Sequence, residues 1–324
     1  MMRVSVLIPA YNCSATIEAT LDSVLRQTSS AHEILVMDDG STDQTPEILK
    51  AYGSQINVFR RENRGLAAAR NELIKKASGD LIAFLDSDDI WHAKYLEVQQ
   101  QVVLKYPNAV GFFTGHVDFA GEGGHEWDVQ IVDIPSSRLE VMQPLDFLKR
   151  YVNAPGSFLM SFCCVPKQLF GRIATDPFKL RIAEDVYFCN LMLLFGPIVF
   201  CSIPLVAYRV REKSLSSNRL KLNLGEVNSF ELLNDHFRAS ADRKIFRAYE
   251  QAFAVKRRLY AKTLMGAGRV DEARKQLRKA FNICKEPKSL GKSVGLLVST
   301  YAPRCLQPKW PPSVRQWGDQ AQYR

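Results

Sequence analysis

Cysteine and histidine are sparse in this chain, and neither is spaced like a metal cage. The seven cysteines are scattered, with no Cys-x-x-Cys among them. They read as reduced, structural residues of a cytosolic protein rather than as disulfides or zinc ligands. His32, His92, His116, His125 and His236 lack ligand-like spacing and read as surface or structural. No run of about 18 apolar residues occurs, so no transmembrane helix is expected. Met1-Met2-Arg3 passes at once into a strand-like run, so no signal peptide is expected either. No G-x-G-x-x-G follows the first strand, and no G-x-x-x-x-G-K-[ST] is present. A dinucleotide fingerprint and a P-loop are thereby set aside. A phosphate-binding crevice in this chain must use side chains and a cation instead of a glycine cradle.

What is present begins with a large apolar fraction, 46% of 324 residues, ample for a buried core. The net charge of +9 is unevenly spread. Residues 1–240 carry 24 Lys/Arg against 28 Asp/Glu, whereas residues 241–324 carry 19 against 6. The basic character therefore belongs to the C-terminal part. Such a segment meets an anionic bilayer, a nucleic acid, or only water.

Three apolar runs each end in polar tips. Val4–Ile8 leads to Pro9-Ala10-Tyr11-Asn12, Ile34–Met37 to Asp38-Asp39-Gly40-Ser41, and Leu81–Leu85 to Asp86-Ser87-Asp88-Asp89. Helix-spaced stretches lie between them, as at Ile17, Leu21, Val24 and Leu25, with Ser14 placed to cap the first. The pattern predicts an α/β fold with a mostly parallel sheet flanked by helices. Ligands of such sheets bind at the carboxyl ends of the strands, where the three tips would converge. Several carboxylates in one crevice call for a hard divalent cation. Further strands are expected at 56–60, 109–119, 158–165 and 198–208, and helices at 91–105 and 142–152. A helix is expected to start at Glu184-Asp185. From about Leu220 the pattern is helical, with a hairpin turning at Gly266-Ala267-Gly268 and no second copy of it.

Four segments in this order resemble the family 2 glycosyltransferases of the GT-A fold, over roughly residues 3–215. They are Val4–Asn12, Asp38–Asp43, Asn63–Asn71 and Asp86-Ser87-Asp88. The resemblance implies an inverting transfer of sugar from a nucleotide-diphosphate donor, UDP-linked, to an acceptor hydroxyl. Asp88 would then ligate Mn²⁺ or Mg²⁺, which neutralises the leaving diphosphate. Asp86 would hold the ribose or assist the metal. Asp39 would accept a hydrogen bond from the base, or else cap the helix beyond Ser41. Pro9 and Tyr11 would shape the base pocket. Asn63, Gly65 and Arg70 would lie beside the nucleotide, Arg70 either on the diphosphate or paired with a nearby carboxylate. Asp185, within Ala183-Glu184-Asp185, matches the position of the family's base. The alternative is that both acids only favour the helix N-terminus. Asp89 reads as a cap of the following helix, and Trp91 as core.

The chain departs from the family after its late strand. Many relatives carry Tyr-Arg-x-His there, but this chain has Tyr208-Arg209-Val210-Arg211. An arginine cannot ligate a cation but can clamp a diphosphate directly. Ser214–Ser217 reads as a loop that orders on donor binding. The expected organisation is a catalytic domain over 1–215, with a nucleotide-binding half (1–110) and an acceptor half (111–215). A basic helical extension would occupy 216–324. The partners implied are a nucleotide-sugar donor, a glycan or lipid-linked acceptor, and an anionic membrane surface, with no nucleic acid. The expected location is cytoplasmic, peripheral on the inner face of the membrane. A phosphotransferase or nucleotidyltransferase would share the carboxylates but leaves Asp185 unexplained. A non-catalytic sugar-nucleotide binder would not need Asp88 or Asp185.

Overall fold

The computed structural model describes residues 2–121, 134–153, 159–173, 176–211, 218–239, 242–284 and 287–301. The expected loop at Ser214–Ser217 lies outside them. The chain divides into two compact units, residues 1–144 with 156–211, and residues 145–155 with 212–324.

The first unit opens with alternating strands and helices: β1 (Val4–Ala10), α1 (Ile17–Leu25), β2 (Glu33–Asp38), α2 (Thr45–Ala51), β3 (Asn57–Arg60), α3 (Leu66–Lys76) and β4 (Leu81–Phe84). β5 (Ile90–Trp91), α4 (Tyr95–Lys105), β6 (Gly111–Phe119) and β7 (Leu139–Met142) follow. Then come α5 (Pro144–Asn153), which belongs almost wholly to the second unit, β8 (Cys163–Pro166), α6 (Gln168–Arg172), α7 (Glu184–Met192) and β9 (Ile198–Arg209). The strands join one sheet in the order β3-β2-β1-β4-β8-β6-β9-β5, with β7 also on β9.

Every residue of β1 is buried, because helices cover both faces of a central parallel strand and leave it no polar side. The parallel order predicted from sequence holds among β1–β4 and between β6 and β9. The second half is mixed: β8 runs antiparallel to β4 and β6, and β5 and β7 run antiparallel to β9. Order reverses at β1, where β2 leaves to one side and β4 to the other. Such a switch opens a crevice at the carboxyl ends of the two strands. Asn12 and Asp86–Asp88 follow those ends directly.

Some local expectations shift. The first helix begins at Ile17, not Ser14, and no side chain caps it. Trp91 ends β5 instead of opening α4. It is core as expected: 2% exposed, stacked on Tyr95 at 4.0 Å, with Nε1 donating to the Ser161 carbonyl at 2.9 Å. At Pro204 the ladder between β9 and β6 slips in register. The six described cysteines are buried and none is in a disulfide.

The second unit includes α8 (Arg219–Ala239), α9 (Arg243–Gly266), α10 (Val270–Ile283) and α11 (Pro287–Ser299). Asp242 caps α9 by accepting the amides of Lys244 and Ile245 at 2.8 and 3.1 Å. α9 ends at the expected Gly266-Ala267-Gly268 turn, and Gly268 takes a φ of 76°. Part of the basic character is internal. Lys256, Arg257 and Arg258 on α9 are all at most 7% exposed. Lys256 pairs with Glu226 at 2.8 Å and Arg257 with Glu231, while Arg258 donates to Ser289 and Ser293 hydroxyls at 2.8 and 3.2 Å.

Gly40, at the tip of β2, has a φ of 83°, and a Cβ there would lie 2.8 Å from the Asn63 amide nitrogen. Backbone cannot yield as a flexible side chain does. Gly40→Ala is expected to cost about 2 kcal/mol through strain at positive φ and this close approach. Urea unfolding would measure it, and an unchanged midpoint would show that the loop moves aside freely.

Candidate active site

The tip of β2 is built around two buried carboxylates with separate tasks. Asp38 accepts the Ser41 amide at 2.9 Å and faces Arg60 Nε at 3.4 Å, closing the turn. Asp39, 3% exposed, accepts the Gly65 amide at 2.7 Å, the Arg64 amide at 3.1 Å and Arg61 Nε at 2.7 Å. It therefore ties the 61–65 loop to the sheet and caps nothing on α2. Gly65, with a φ of 90°, turns the chain into α3. Asn63 is exposed on the same loop, Pro9 is buried in β1, and Tyr11 stands 50% exposed beyond it. Asn12 Oδ1 accepts the Thr42 amide at 2.8 Å, which joins the first tip to the second.

The turn after β4 is held through its backbone. Thr16 and Thr20 on the α1 side donate to the carbonyls of Ser87 and Asp89, each at 2.9 Å. The Asp86 amide donates to Ser161 Oγ at 3.0 Å. This leaves the carboxylates of Asp86 and Asp88 to be placed by charge. Asp89 is 1% exposed and accepts the Arg209 amide at 3.0 Å, so it anchors β9 and does not cap α4. Burial first, then the charges of Asp88 and Asp86, push its carboxyl far above the usual range. Burial and Asp86 likewise raise Asp88, with Arg211 and Arg209 pulling the other way.

Arg70 is the hub. It is 2% exposed, yet Nη2 donates to Asp86 Oδ1 and Nη1 to Glu184 Oε1, both at 2.6 Å. Burial opposes its charge, but Asp86, Glu184 and Asp185 more than offset this and raise its pKa. Its neighbour Asn71 pairs with the backbone of Phe178 in both directions, at 2.7 and 3.0 Å, and so brings the segment before α7 against α3. Ala183 then adopts a left-handed φ of 61°, and α7 starts on Glu184 and Asp185. Burial, resisted by Arg70 and reinforced by Asp185, lifts Glu184 to about 7. Asp185 is half-buried and accepts the Val186 amide at 2.7 Å.

The end of β9 closes the site. Arg209 Nε donates to the Asp88 carbonyl at 2.7 Å. Arg211 is 39% exposed, lies 3.3 Å from Asp88 Oδ2 and donates to Thr16 Oγ1 at 3.3 Å.

Asp86, Asp88, Arg70, Arg211 and the Glu184-Asp185 pair thus form one charged cluster. Asp39 and Gly65 are bonded to each other in the neighbouring loop. The contributions of Thr16, Thr20, Ser161 and Arg61 as supports left no signal in the sequence, since their partners are remote in the chain, and Asn71 was visible only as the end of a family-like segment. Among the described residues no three His, Cys, Asp or Glu side chains form a metal cage. The residues nevertheless fit a hard cation that takes most of its ligands from a diphosphate. Arg211 engages one oxygen of Asp88, and the crowding of Asp88 by Asp86 is a charge imbalance that a cation would relieve.

Comparison with known proteins bears on this geometry. The family model described as glycosyl transferase family 2 matches residues 5–165. An Escherichia coli protein, UDP-Glc:alpha-D-GlcNAc-diphosphoundecaprenol beta-1,3-glucosyltransferase WfgD, is 34% identical over 224 residues, covering 67% of this chain and 81% of that protein. In fold, the chain is similar to S. aureus TarS 1–349 in complex with UDP-GlcNAc, with a TM-score of 0.68 at 17% identity, covering 93% and 89% of the two chains. It is also similar to the mannosyltransferase PcManGT from Pyrobaculum calidifontis in complex with GDP-Man and Mn²⁺, with a TM-score of 0.56 at 19% identity, covering 93% and 81%.

Removing Arg70 would leave Glu184 buried, and Asp86 half-buried, without their shared counter-charge. Arg70→Ala is expected to cost about 3–5 kcal/mol, and Arg70→Lys to recover only part, because one ammonium cannot span two carboxylates as a planar fork does. A loss below about 1 kcal/mol on denaturant unfolding would mean that the cluster relaxes by taking up protons or water.

Proposed function

Since the chain belongs to glycosyl transferase family 2 and is a glycosyltransferase of GT-A fold, we propose that it moves a sugar from a UDP-linked donor to the hydroxyl of a lipid-linked glycan, with inversion, in cell-envelope polysaccharide synthesis. The observation that carries this reading is the Arg70 bridge. It ties the aspartate turn to the N-terminus of α7, so donor carboxylates and a candidate base belong to one cluster. The E. coli relative's name specifies UDP-glucose and a GlcNAc-diphospholipid, and that pair is the first to test.

On this reading residues 1–110 bind the nucleotide, 111–215 receive the acceptor, and 216–324 form an extension. Pro9 and Tyr11 border the base. Asp39 accepts three hydrogen bonds from protein groups and, with about four acceptor positions on a carboxylate, retains room for one from the base. Asn63 and Gly65 flank the nucleotide. Arg70 acts by holding Asp86 toward the ribose, since its buried guanidinium is spent on two carboxylates. Asp88 and, where present, the diphosphate would hold Mn²⁺ or Mg²⁺, which supplies Lewis-acid neutralisation of the leaving group. Arg211 adds a second cation on the diphosphate side. Asp185 takes the proton of the acceptor hydroxyl as its oxygen bonds to the anomeric carbon; the bond to the diphosphate breaks on the opposite face, and UDP departs.

The extension offers a bilayer contact. Val294, Val298 and Tyr301 are exposed at helical spacing along and just past α11, and Lys292 is exposed elsewhere on the same helix. An exposed apolar stripe on a helix that also carries a lysine suits an anionic lipid surface. Among the described residues no helix is long and apolar enough to cross a membrane.

The purified protein should show a thermal shift with UDP or UDP-glucose, enlarged by Mn²⁺ or Mg²⁺, and Asp88→Ala should abolish the metal-dependent part. Asp185→Asn should lower transfer about 10²–10⁴-fold while UDP binding persists. Transfer at the unaltered rate would remove Asp185 as the base, and absence of any nucleotide shift in folded protein would defeat the donor reading. For the membrane contact, Val294→Asp with Val298→Asp should reduce flotation with anionic liposomes; equal flotation would retire that surface.

A further inference from the structure

The outer ends of β6 and β9 carry a group of side chains that the reaction above leaves unused. The ladder sets Asp118 beside Tyr208 and His116 beside Val206. Side chains alternate along a strand, so His116, Asp118, Val206 and Tyr208 stand on one face of the sheet. Phe162 underlies them. His116 stacks on its ring with centroids 4.5 Å apart and planes 17° apart. Tyr208 meets both rings edge-on, at 6.2 Å from His116 and 6.1 Å from Phe162. Phe162 is fully buried, so the imidazole is the outer layer of this stack. The side chains of His116 and Asp118 are each 31% exposed, and His116 Nε2 lies 3.5 Å from Asp118 Oδ1.

The group adjoins the reacting centre through Phe162, which follows Ser161, whose hydroxyl accepts the Asp86 amide. Burial, followed by Asp89, Asp88, Asp86 and Asp185, pushes the Tyr208 phenol above its usual pKa, which places that ring in the field of donor carboxylates and base together.

The chemistry of the surface selects its ligand. Burial, opposed by Asp118, lowers the pKa of His116 and so favours the neutral ring, which offers no charge to a phosphate. The surrounding carboxylates repel anions. A neutral pyranose suits it instead: a sugar ring has an apolar C–H face for an aromatic edge or face and hydroxyls for a carboxylate and an imidazole. We propose that His116, Asp118 and Tyr208 form the subsite that receives the acceptor's terminal sugar ring, His116 and Asp118 fixing which hydroxyl is turned toward Asp185. This rests on the reading of the chain as a sugar transferase to a glycan acceptor. Histidine spacing by itself suggested only a structural or surface role for His116.

The test uses the full chain, UDP-glucose and a short-chain GlcNAc-diphospholipid. His116→Ala and the isosteric Asp118→Asn are expected to raise the acceptor KM about ten-fold, for the loss of one stack and its hydrogen bonds. UDP affinity by calorimetry should stay within about two-fold, which a merely structural role would not allow. An unchanged acceptor KM, or UDP affinity falling in step with transfer, would overturn the subsite. Should the unaltered protein make no product with this pair, the substrate reading is what has failed. Saturation-transfer NMR with methyl N-acetylglucosaminide and UDP then decides the subsite. A sugar signal seen with the unaltered protein and abolished by His116→Ala supports it. A signal of equal strength with both proteins, or with neither, rejects it.

Discussion

A guanidinium shut away from water between two carboxylates is the constraint on which the site depends. Arg70 sits on α3, Asp86 on the turn after β4, and Glu184 at the start of α7. Taking Arg70 and Glu184 out of water, and Asp86 partly so, costs several kcal/mol per fully buried ion unless the geometry is close to ideal, and two contacts of 2.6 Å provide that geometry. The arrangement is a weak source of net stability but a strong source of position. Any displacement of α7 relative to the aspartate turn leaves a charge buried and unpaired, so alternative packings are penalised. That is how the proposed base on one helix would keep its distance from the proposed donor site on a strand end.

Around this bridge, neutral groups hold backbone and charged groups hold side chains. Thr16, Thr20 and Ser161 satisfy the carbonyls and amide of the Asp86–Asp89 turn. The carboxylates of Asp86 and Asp88 are thereby free to be set by Arg70 and Arg211. The division has a physical basis: a turn crowded with acids cannot use them to tie its own backbone without losing them for a ligand. Asp89 is the exception, spent on the Arg209 amide, and its burial raises its pKa well above the usual range. The tip of β2 is arranged the other way, with Asp38 accepting an amide of its own turn and Asp39 an amide of the next loop.

The basic balance of the C-terminal part divides in the same way. Lys256, Arg257 and Arg258 are turned inward on α9, where two are matched by glutamates and the third by serine hydroxyls. Those cations serve helix packing and are closed to outside partners. Among the described residues, exposed positions such as Lys292 remain for an anionic surface, so the net charge overstates the electrostatic attraction that this part can exert.

The apolar runs before Pro9, Asp38 and Asp86 determined three strands and the polar tips at their ends, because period and composition act locally. The same holds for α7 behind Glu184 and for the turn at Gly266–Gly268. The four family-like segments disclosed the transferase, since their order along the chain is itself information. Only the tertiary structure decided that β8 enters antiparallel between β4 and β6, that α4 starts at Tyr95, and that Asp89 anchors β9 instead of capping a helix. It alone gave Arg70 to Asp86 and Glu184, partners that lie 16 and 114 residues away in the chain. It also turned His116 from an isolated histidine into the outer layer of an aromatic stack. Pairings of this kind are set by which strands lie side by side and which faces they share. A side chain's own identity states what it can bind, and the packing of remote elements selects which of those partners it meets.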